Sequence, residues 1–277
     1  MGNSGGIIGL TRWLETPAGH YLLDWEQSYL DQVVADLFGF HALQLGLPQL
    51  DALRANRMPH RWVAAETLRP DANSSGPTEA GGDGATPAPP KLALHCTFDA
   101  LPFENQSLDL VVLPHTLELT TDPHLALREV ERVLVPEGRV VIVGFNPASL
   151  WGARQRFGVL RRRLWSRTSR PLFLPGDGEF LSYRRLRDWL RLLSFEVEAG
   201  RLGCYVPPLE SAKWLSRFKW MDRMGERWWP VFGAVYCVVA VKRVRGMRLV
   251  GLTRTMKRLS QSSPVVAGNH HGYETER

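Results

Sequence analysis

Cysteine is scarce in this chain, and its arrangement argues against a small disulfide-rich domain and against a small zinc-binding domain. The three cysteines among 277 residues are Cys96, Cys204 and Cys237, which are odd in number, widely spaced and contain no C-x-x-C pair. That pattern favours neither a disulfide framework nor a zinc site. We expect three partly buried, reduced thiols in a cytoplasmic protein.

Long apolar runs and several catalytic signatures are also missing. The longest apolar run, "VFGAVYCVVAV" at 231–241, is too short to cross a bilayer as a helix. The first residues, "MGNSGGIIGLTR", lack the charge and apolar pattern of a signal peptide. Without a signal peptide or a membrane span, the sequence predicts a cytoplasmic protein. It has no H-E-x-x-H, G-x-S-x-G or P-loop motif, and we expect no metal site.

The positive charge is local rather than general. The chain carries a net charge of +6, but residues 154–170 hold seven Arg and no acid. Residues 244–277 add a net +4, which leaves the rest of the chain at −5. This distribution does not predict a protein that coats nucleic acid over its whole surface.

Hydrophobic periodicity alternates between buried strands and amphipathic helices, which predicts an α/β fold with a doubly wound, mostly parallel sheet. A continuous apolar strand, "RVVIVGF", follows a helix that "PEG" at 136–138 is expected to stop. The predicted helices are 22–38, 124–135 and 182–193, and the predicted strands are 41–46, 61–66, 92–96, 108–114, 139–145, 195–202 and 231–242.

Composition divides the chain into a core domain with additions. A Pro/Gly-rich stretch at 67–91 has little to bury and is expected to be a flexible insertion between two strands. The predicted organisation is an N-terminal segment at 1–20, a domain at 21–243 and a basic, disordered tail at 244–277. Within the domain, 150–174 and 204–230 are expected to be insertions that cap a substrate site.

The stretch "DALPFENQSLDLVVLPHTLELTTDPHLALREVERVLVPEGRVVIVGFNP" at 99–147 resembles class I S-adenosylmethionine-dependent methyltransferases. It is most similar to the small-molecule type, with its "D-x-L-P-F", "DP" and "L-x-E-x-x-R-V-L" motifs. The resemblance implies a Rossmann-like, seven-stranded sheet and S-adenosylmethionine as cofactor. It also implies methyl transfer to a small-molecule acceptor. Two alternatives stay open: a non-catalytic, methyltransferase-like binding module, and an RNA- or membrane-associated protein that uses its Arg-rich segment.

The resemblance assigns several residues to the adenosine half of the cofactor. Asp99 would accept a hydrogen bond from the adenine amine, beside the backbone of Ala100 and the side chain of Leu101. Glu66, at the end of the second strand, would hold the ribose hydroxyls. The alternatives are a turn-capping residue for Asp99 and an ordinary surface acid for Glu66.

The loop after the first strand departs from the family pattern. Of three glycines that the resemblance implies, only Gly46 is present, and Gln44 replaces the acid that helps to seat the methionine amino group. Gln44 can donate a hydrogen bond but cannot neutralise an ammonium. Pro48 removes a backbone donor from the same loop. The cofactor pocket is therefore predicted to be half intact.

Three further candidates follow the fourth strand, where the family places residues against the sulfonium and the substrate. Pro114 is a cofactor contact in this interpretation, and His115 and Glu118 are candidate catalytic residues. The alternatives are a loop residue for His115 and, for Glu118, an acid favoured by a helix start.

Two segments rich in basic and aromatic residues are candidates for the substrate cap. Residues 150–174 carry the Arg run, and 213–229 place Trp214, Phe218, Met221 and Trp228 on one face of a predicted helix. Such a stripe can be core that covers the sheet. It can also serve an anionic substrate, an anionic membrane surface or RNA. "LPHT" stands where nucleic-acid amino-methyltransferases have [DN]-P-P-[YF], which argues against that class.

Overall fold

The computed structural model describes residues 4–65, 93–164, 172–174 and 180–243, without the side chains of 4–8 and 163. All of these residues belong to one compact unit, Met1–Val244.

A seven-stranded sheet forms the centre of the described residues, in the order β3-β2-β1-β4-β5-β7-β6. Strand β7 runs antiparallel to both of its neighbours, and the other strand pairs are parallel. The predicted doubly wound, mostly parallel α/β fold is confirmed. The strands are β1 (His41–Leu45), β2 (His60–Ala65), β3 (Leu94–His95), β4 (Leu108–Pro114), β5 (Leu134–Phe145), β6 (Phe195–Gly203) and β7 (Val235–Lys242).

Helices cover both faces of this sheet. None of those in the described part of the chain is long and apolar enough to cross a membrane. A 3₁₀ helix, Pro230–Phe232, leads into β7. The α-helices are α1 (Ser4–Leu14), α2 (Pro17–Ala35), α3 (Thr116–Leu119), α4 (Pro123–Val133), α5 (Leu150–Leu164), α6 (Tyr183–Leu192), α7 (Ala212–Phe218) and α8 (Trp220–Trp228).

The alternation of side chains along each strand divides the core into two layers. On one face, Leu110 and Val112 of β4 pack in a cluster with Leu22 and Leu30 of α2. On the other face, their neighbours along β4 pack with residues of α4 and α6. The continuous apolar runs of the central strands thus follow from burial on both faces.

Two helix boundaries differ from the predictions for local reasons. Helix α2 begins at Pro17 rather than 22, because Thr16 accepts a hydrogen bond from the N–H of Gly19 at 3.2 Å and Pro17 occupies the first turn. Helix α4 ends at Val133, and β5 begins at Leu134 without a loop. Residues 136–138, which are predicted to stop the helix, therefore lie inside β5. The pairing of β5 with β4 shifts register there, between Leu108 and Leu110 of β4.

The predicted single helix at 213–229 is wrong. The chain forms α7 and α8 with a break at Lys219, and the side chains of Trp214 and Trp228 are exposed. The predicted strand at 231–242 begins only at Val235, because the 3₁₀ helix that starts at Pro230 occupies its first residues.

Several sequence predictions fall outside the described residues. These are Glu66, the 67–91 insertion, the 244–277 tail, and residues 165–171 of the Arg run.

Candidate functional site

The loop after β1 is closed by the side chain of Gln44. Its amide nitrogen donates to the carbonyl oxygens of Gly46, Leu47 and Leu50 at 3.2, 3.1 and 2.7 Å. Its amide oxygen accepts from the N–H of Ala52 at 2.9 Å. Gln44 is fully buried, so both ends of the amide are occupied by the loop itself.

The conformation of this loop explains why one glycine is kept. Gly46 has a φ of +79°, which favours glycine. A Cβ there would lie 3.1 Å from Thr116 Oγ1 and 3.7 Å from Phe98 Cζ. Leu47 follows with a φ of +43° and turns its side chain into the core. The loop is a tight, apolar turn rather than an open glycine-rich one.

Three segments converge at Gly46 on the carboxyl edge of the parallel strands. The ring of Phe98 reaches it from the turn after β3, and Thr116 reaches it from α3 after β4. The hydroxyl of Thr116 also donates to the carbonyl of Leu45. In open α/β sheets, ligands bind at this edge.

The turn after β3 holds the predicted adenine contacts. Asp99 is exposed and lines a polar cavity of about 500 Å³ with Arg128 and Arg132. The N–H of Ala100 donates to the Thr97 carbonyl at 3.3 Å, which closes the turn.

Helix α4 holds the rest of this segment in place. The N–H of Leu101 donates to a carboxylate oxygen of Glu129 at 3.1 Å. Arg132 donates to the carbonyl oxygens of Leu101 and Phe103, both at 2.9 Å. Because Arg132 also pairs with Glu129 at 2.8 Å, one ion pair on α4 fixes the course of the segment after β3.

A buried triad of ionisable side chains lies where β4 ends. His115, directly after Pro114, has Nε2 2.7 Å from Glu26 Oε1 and Nδ1 2.9 Å from Glu118 Oε2. Both ring nitrogens face carboxyl oxygens, so hydrogen bonds to two carboxylates require the imidazolium form. His115 has a φ of +53° as the residue before α3, and its ring packs 4.4 Å from that of Phe145.

The electrostatics of the triad depend on competition between burial and charge. Burial alone would lower the pKa of His115, but the charge of Glu26 and hydrogen bonds to Glu118 and Glu26 raise it to about 10. Burial raises the pKa of Glu118, although its bonds with His115 and with the N–H of Phe145 act in the opposite direction. The ring therefore holds its proton to a higher pH than a free imidazole does.

The triad ties three elements to one another. Glu118 Oε1 accepts from the N–H of Phe145 at 2.5 Å, which connects α3 to the end of β5. Glu26 brings in α2, and among the described residues its Oε2 atom has no hydrogen-bond partner. The described part of the chain contains no cluster of His, Cys, Asp or Glu suited to a metal ion. Ion pairs thus hold this part of the carboxyl edge together.

A family model for a methyltransferase domain matches residues 78–142. This range contains the turn after β3, the fourth strand, and both His115 and Glu118. The match covers less than a quarter of the chain. Over these residues the chain is similar to a methyltransferase domain.

Two relatives match this chain over part of their length. The uncharacterized protein YafS of Escherichia coli (strain K12) is 45% identical over 97 residues, which cover 35% of this chain and 36% of YafS. The demethylmenaquinone methyltransferase of Chlamydia pneumoniae is 39% identical over 54 residues, or 20% of this chain and 24% of the relative. The matched residues thus span about a third of YafS and about a quarter of the demethylmenaquinone methyltransferase.

A solved chain from the complex of the Haloferax volcanii Trm112 methyltransferase activator with a methyltransferase has the same fold. It aligns with a TM-score of 0.50 and 17% identity, covering 87% of this chain and 99% of its own length.

The structure brings five of the predicted site residues to one edge of the sheet. Gln44, Gly46, Pro114, His115 and Glu118 lie at the ends of β1 and β4. Asp99, Ala100 and Leu101 follow on the neighbouring turn, which Phe98 links to Gly46.

Sequence reasoning missed Glu26 as a member of this site. The signal was present, because Leu22, Glu26, Leu30 and Val34 recur every four residues and all four are buried. A carboxylate inside an otherwise apolar stripe requires a buried partner, and that partner, His115, is 89 residues away.

Proposed function

We propose that this chain is an S-adenosylmethionine-dependent methyltransferase that acts on a small-molecule acceptor. The observation that carries the proposal is the convergence of Gly46, Phe98 and Thr116 at the carboxyl edge of the sheet. The domain match over 78–142 supports it. The matched part of a relative that is named for demethylmenaquinone supports a small organic acceptor rather than a macromolecule.

The described residues fit the adenosine half of the cofactor. Asp99 offers an exposed carboxylate beside Phe98, and a carboxylate can accept a hydrogen bond from the adenine amine. Gly46 lets Phe98 and Thr116 approach the loop closely, because they occupy the space that its side chain would take. When bound, the cofactor supplies a methyl group on a sulfonium, and transfer then requires mainly proximity and alignment.

The methionine half meets a different environment. The carbonyl oxygens of Gly46, Leu47 and Leu50 already accept from Gln44, so they are not open to an ammonium as they stand. Binding of that half would have to rely on the outer side of the loop.

We assign His115 and Glu118 a positioning role within this function. Both side chains are buried, and each is bonded to another element of the edge. A ring held between two carboxylates fixes the ends of β4 and β5, against which cofactor and acceptor would lie. A catalytic base would instead need to reach the acceptor.

Calorimetric titration with S-adenosylmethionine and S-adenosylhomocysteine tests the proposal. We expect micromolar binding by the full chain, and at least tenfold weaker binding by Asp99→Ala. Asp188→Ala removes an exposed carboxylate on α6 and is the matched control. Binding that both variants retain would remove Asp99 from the site, and absence of heat with folded protein would overturn the function.

A second candidate function is a binding module that has kept the fold without the cofactor. The closed Gln44 loop favours it, because the family's acid is replaced by an amide that serves only the loop. The same titration separates the two functions, since the module predicts no heat with either compound.

A further inference from the structure

Helix α8 exposes an apolar stripe on the side that faces away from the core. Trp220, Met224 and Trp228 recur every four residues, so they share one face of the helix. Their side chains are 58%, 40% and 64% exposed. A stripe of this kind at helical spacing normally points inward, so its exposure here requires an explanation.

The opposite side of α8 is occupied by the body of the protein. A Cβ at Gly225 would lie 2.2 Å from the ring of Tyr205, so the helix is packed closely there. Asp222 accepts hydrogen bonds from the hydroxyl of Tyr21 and the N–H of Tyr205, at 2.5 and 2.9 Å. These contacts fix the rotation of α8, and the tryptophan stripe faces outward as a result.

A basic stripe runs beside the apolar one. Lys219, Arg223 and Arg227 precede Trp220, Met224 and Trp228 by one residue each, and all three are exposed. None of them forms an ion pair with another described residue. The acids of α8 do not neutralise them, because Asp222 is bonded to two tyrosines and Glu226 pairs with Arg201 at 2.5 Å.

On its other flank the apolar stripe borders an apolar cavity of about 270 Å³. The exposed Trp229 and Phe232 form part of its rim. Its lining residues are Leu150, Tyr205, Met221, Gly225, Trp229 and Phe232. Exposed apolar residues are ordinary singly, but a contiguous set indicates a binding surface.

We propose that α8 and the 3₁₀ helix form a docking surface for an anionic lipid membrane. Tryptophan with flanking Lys and Arg on a short helix is the pattern of interfacial helices, which bury the apolar face and pair the cations with lipid headgroups. The apolar cavity favours lipid over RNA, since its lining has no charged side chain to pair with a phosphate and it has room for a segment of acyl chain.

This surface lies at the same edge of the sheet as the candidate site. Asn146, directly after β5, donates to the carbonyl oxygens of Val231 and Gly233 at 2.8 and 2.9 Å. The neighbouring residue Phe145 is bonded to Glu118 of the triad. A membrane at this surface would therefore lie beside the site, although docking itself requires neither cofactor nor methyl transfer.

Vesicle cosedimentation of the full chain tests the proposal. We expect binding to vesicles of phosphatidylcholine with phosphatidylglycerol, much weaker binding to phosphatidylcholine alone, and weakening by salt. Brominated lipids should quench tryptophan fluorescence of the bound protein, because Trp220 and Trp228 enter the headgroup region.

Two double variants separate the contributions of the stripes. Trp220→Ser with Trp228→Ser should weaken binding about tenfold or more through lost insertion, and should reduce the quenching. Arg223→Gln with Arg227→Gln should weaken binding about tenfold or more, and only to anionic vesicles. The matched control is Phe38→Ser with Phe40→Ser, which removes two exposed aromatics just before β1, at the opposite edge.

Three results would overturn the proposal. The first is equal binding by the tryptophan variant and the wild type. The second is self-association through this surface, seen as a dimer in sedimentation velocity that the tryptophan variant abolishes. The third is no vesicle binding alongside salt-sensitive binding of single-stranded RNA that the arginine variant loses.

Discussion

The imidazole of His115 and the carboxylate of Glu26 lie 2.7 Å apart, and neither side chain is exposed to solvent. The pair joins α2 to the end of β4, two elements separated by 89 residues. Glu118 completes the arrangement on the other ring nitrogen. A buried ion pair contributes little when intact, but removal of one partner leaves an uncompensated charge and is strongly destabilising.

The first prediction is that the free energy of unfolding falls as the pH rises from 7 to 8.5. The folded protein keeps the proton on His115 up to about pH 10, whereas the unfolded chain loses it near the ordinary value of 6.5. The folded state therefore binds more protons in this window, and the slope reaches about −1.4 kcal/mol per pH unit. Urea unfolding at several pH values measures it. Burial raises the pKa of all three cysteines in the folded protein, so their ionisation in the unfolded chain adds to the slope near pH 8.5, and the range from pH 7 to 8 isolates His115.

Two variants identify the source of this slope. Glu26→Gln removes the charge that raises the pKa of His115, and His115→Gln removes the titrating group, so both should flatten the slope whatever their absolute stability. A slope that persists in both variants would mean that another group is responsible.

The second prediction concerns the closed loop after β1. Gln44→Ala leaves three carbonyl oxygens and the Ala52 N–H without their partner, and we expect a loss of about 3 kcal/mol in the free energy of unfolding. Gln44→Glu should cost at least as much, because a carboxylate would face three carbonyl oxygens. Gln49→Ala, an exposed glutamine in the same loop, is the control and should change stability little. Equal effects of Gln44→Ala and Gln49→Ala would contradict the assignment.

The third prediction compares two glycines under the same substitution. Gly46→Ala should destabilise by about 1–2 kcal/mol, because a φ of +79° strains a residue with a Cβ. Gly158→Ala lies within α5 and meets only the end of the Leu172 side chain, so higher helix propensity should stabilise by up to about 1 kcal/mol. Thermal unfolding of both variants measures whether each substitution lowers or raises stability. A Gly46→Ala variant more stable than the wild type would show that the turn is not strained.

The sequence was sufficient to predict the sheet, because the central strands carry strong, continuous apolar patterns. β1 and β4 lie within a residue of their predicted bounds, since burial on both faces leaves few other interpretations. β2 also lies within a residue of its predicted bounds, although only Val63 and Ala64 in it are fully buried. The resemblance at 99–147 directs attention to the carboxyl edge of the sheet, where Phe98 meets Gly46.

The parts that escaped prediction depend on long-range contacts. Nothing near Glu26 in the sequence names His115 as its partner, because the pair forms only when α2 packs against the end of β4. The sequence pattern at 213–229 groups Trp214, Phe218, Met221 and Trp228, with core as one alternative. The stripe exposed on α8 is instead formed by Trp220, Met224 and Trp228. Its outward direction is decided by Tyr205 against Gly225 and by Tyr21 against Asp222, and neither contact can be read from periodicity.

The last prediction concerns Asn146, which fastens the 3₁₀ helix to the end of β5. Its side chain is buried, donates to Val231 and Gly233, and accepts from the N–H of Ala148 at 3.0 Å. Asn146→Ala should lower the free energy of unfolding by about 2 kcal/mol, since these buried backbone groups lose their partners.

Hydrogen exchange gives a local test of the same variant. Amides in the 3₁₀ helix and of Ala148 should exchange faster in Asn146→Ala by a larger factor than amides of the central strands, whose exchange rises only as far as the lower global stability requires. Asn105→Ala, whose exposed side chain accepts from Arg132, is the control. If exchange rises by the same factor at the junction and in the central strands, Asn146 supports the whole fold rather than this junction. If it rises by a larger factor at the junction, Asn146 fastens the candidate site to the proposed docking surface.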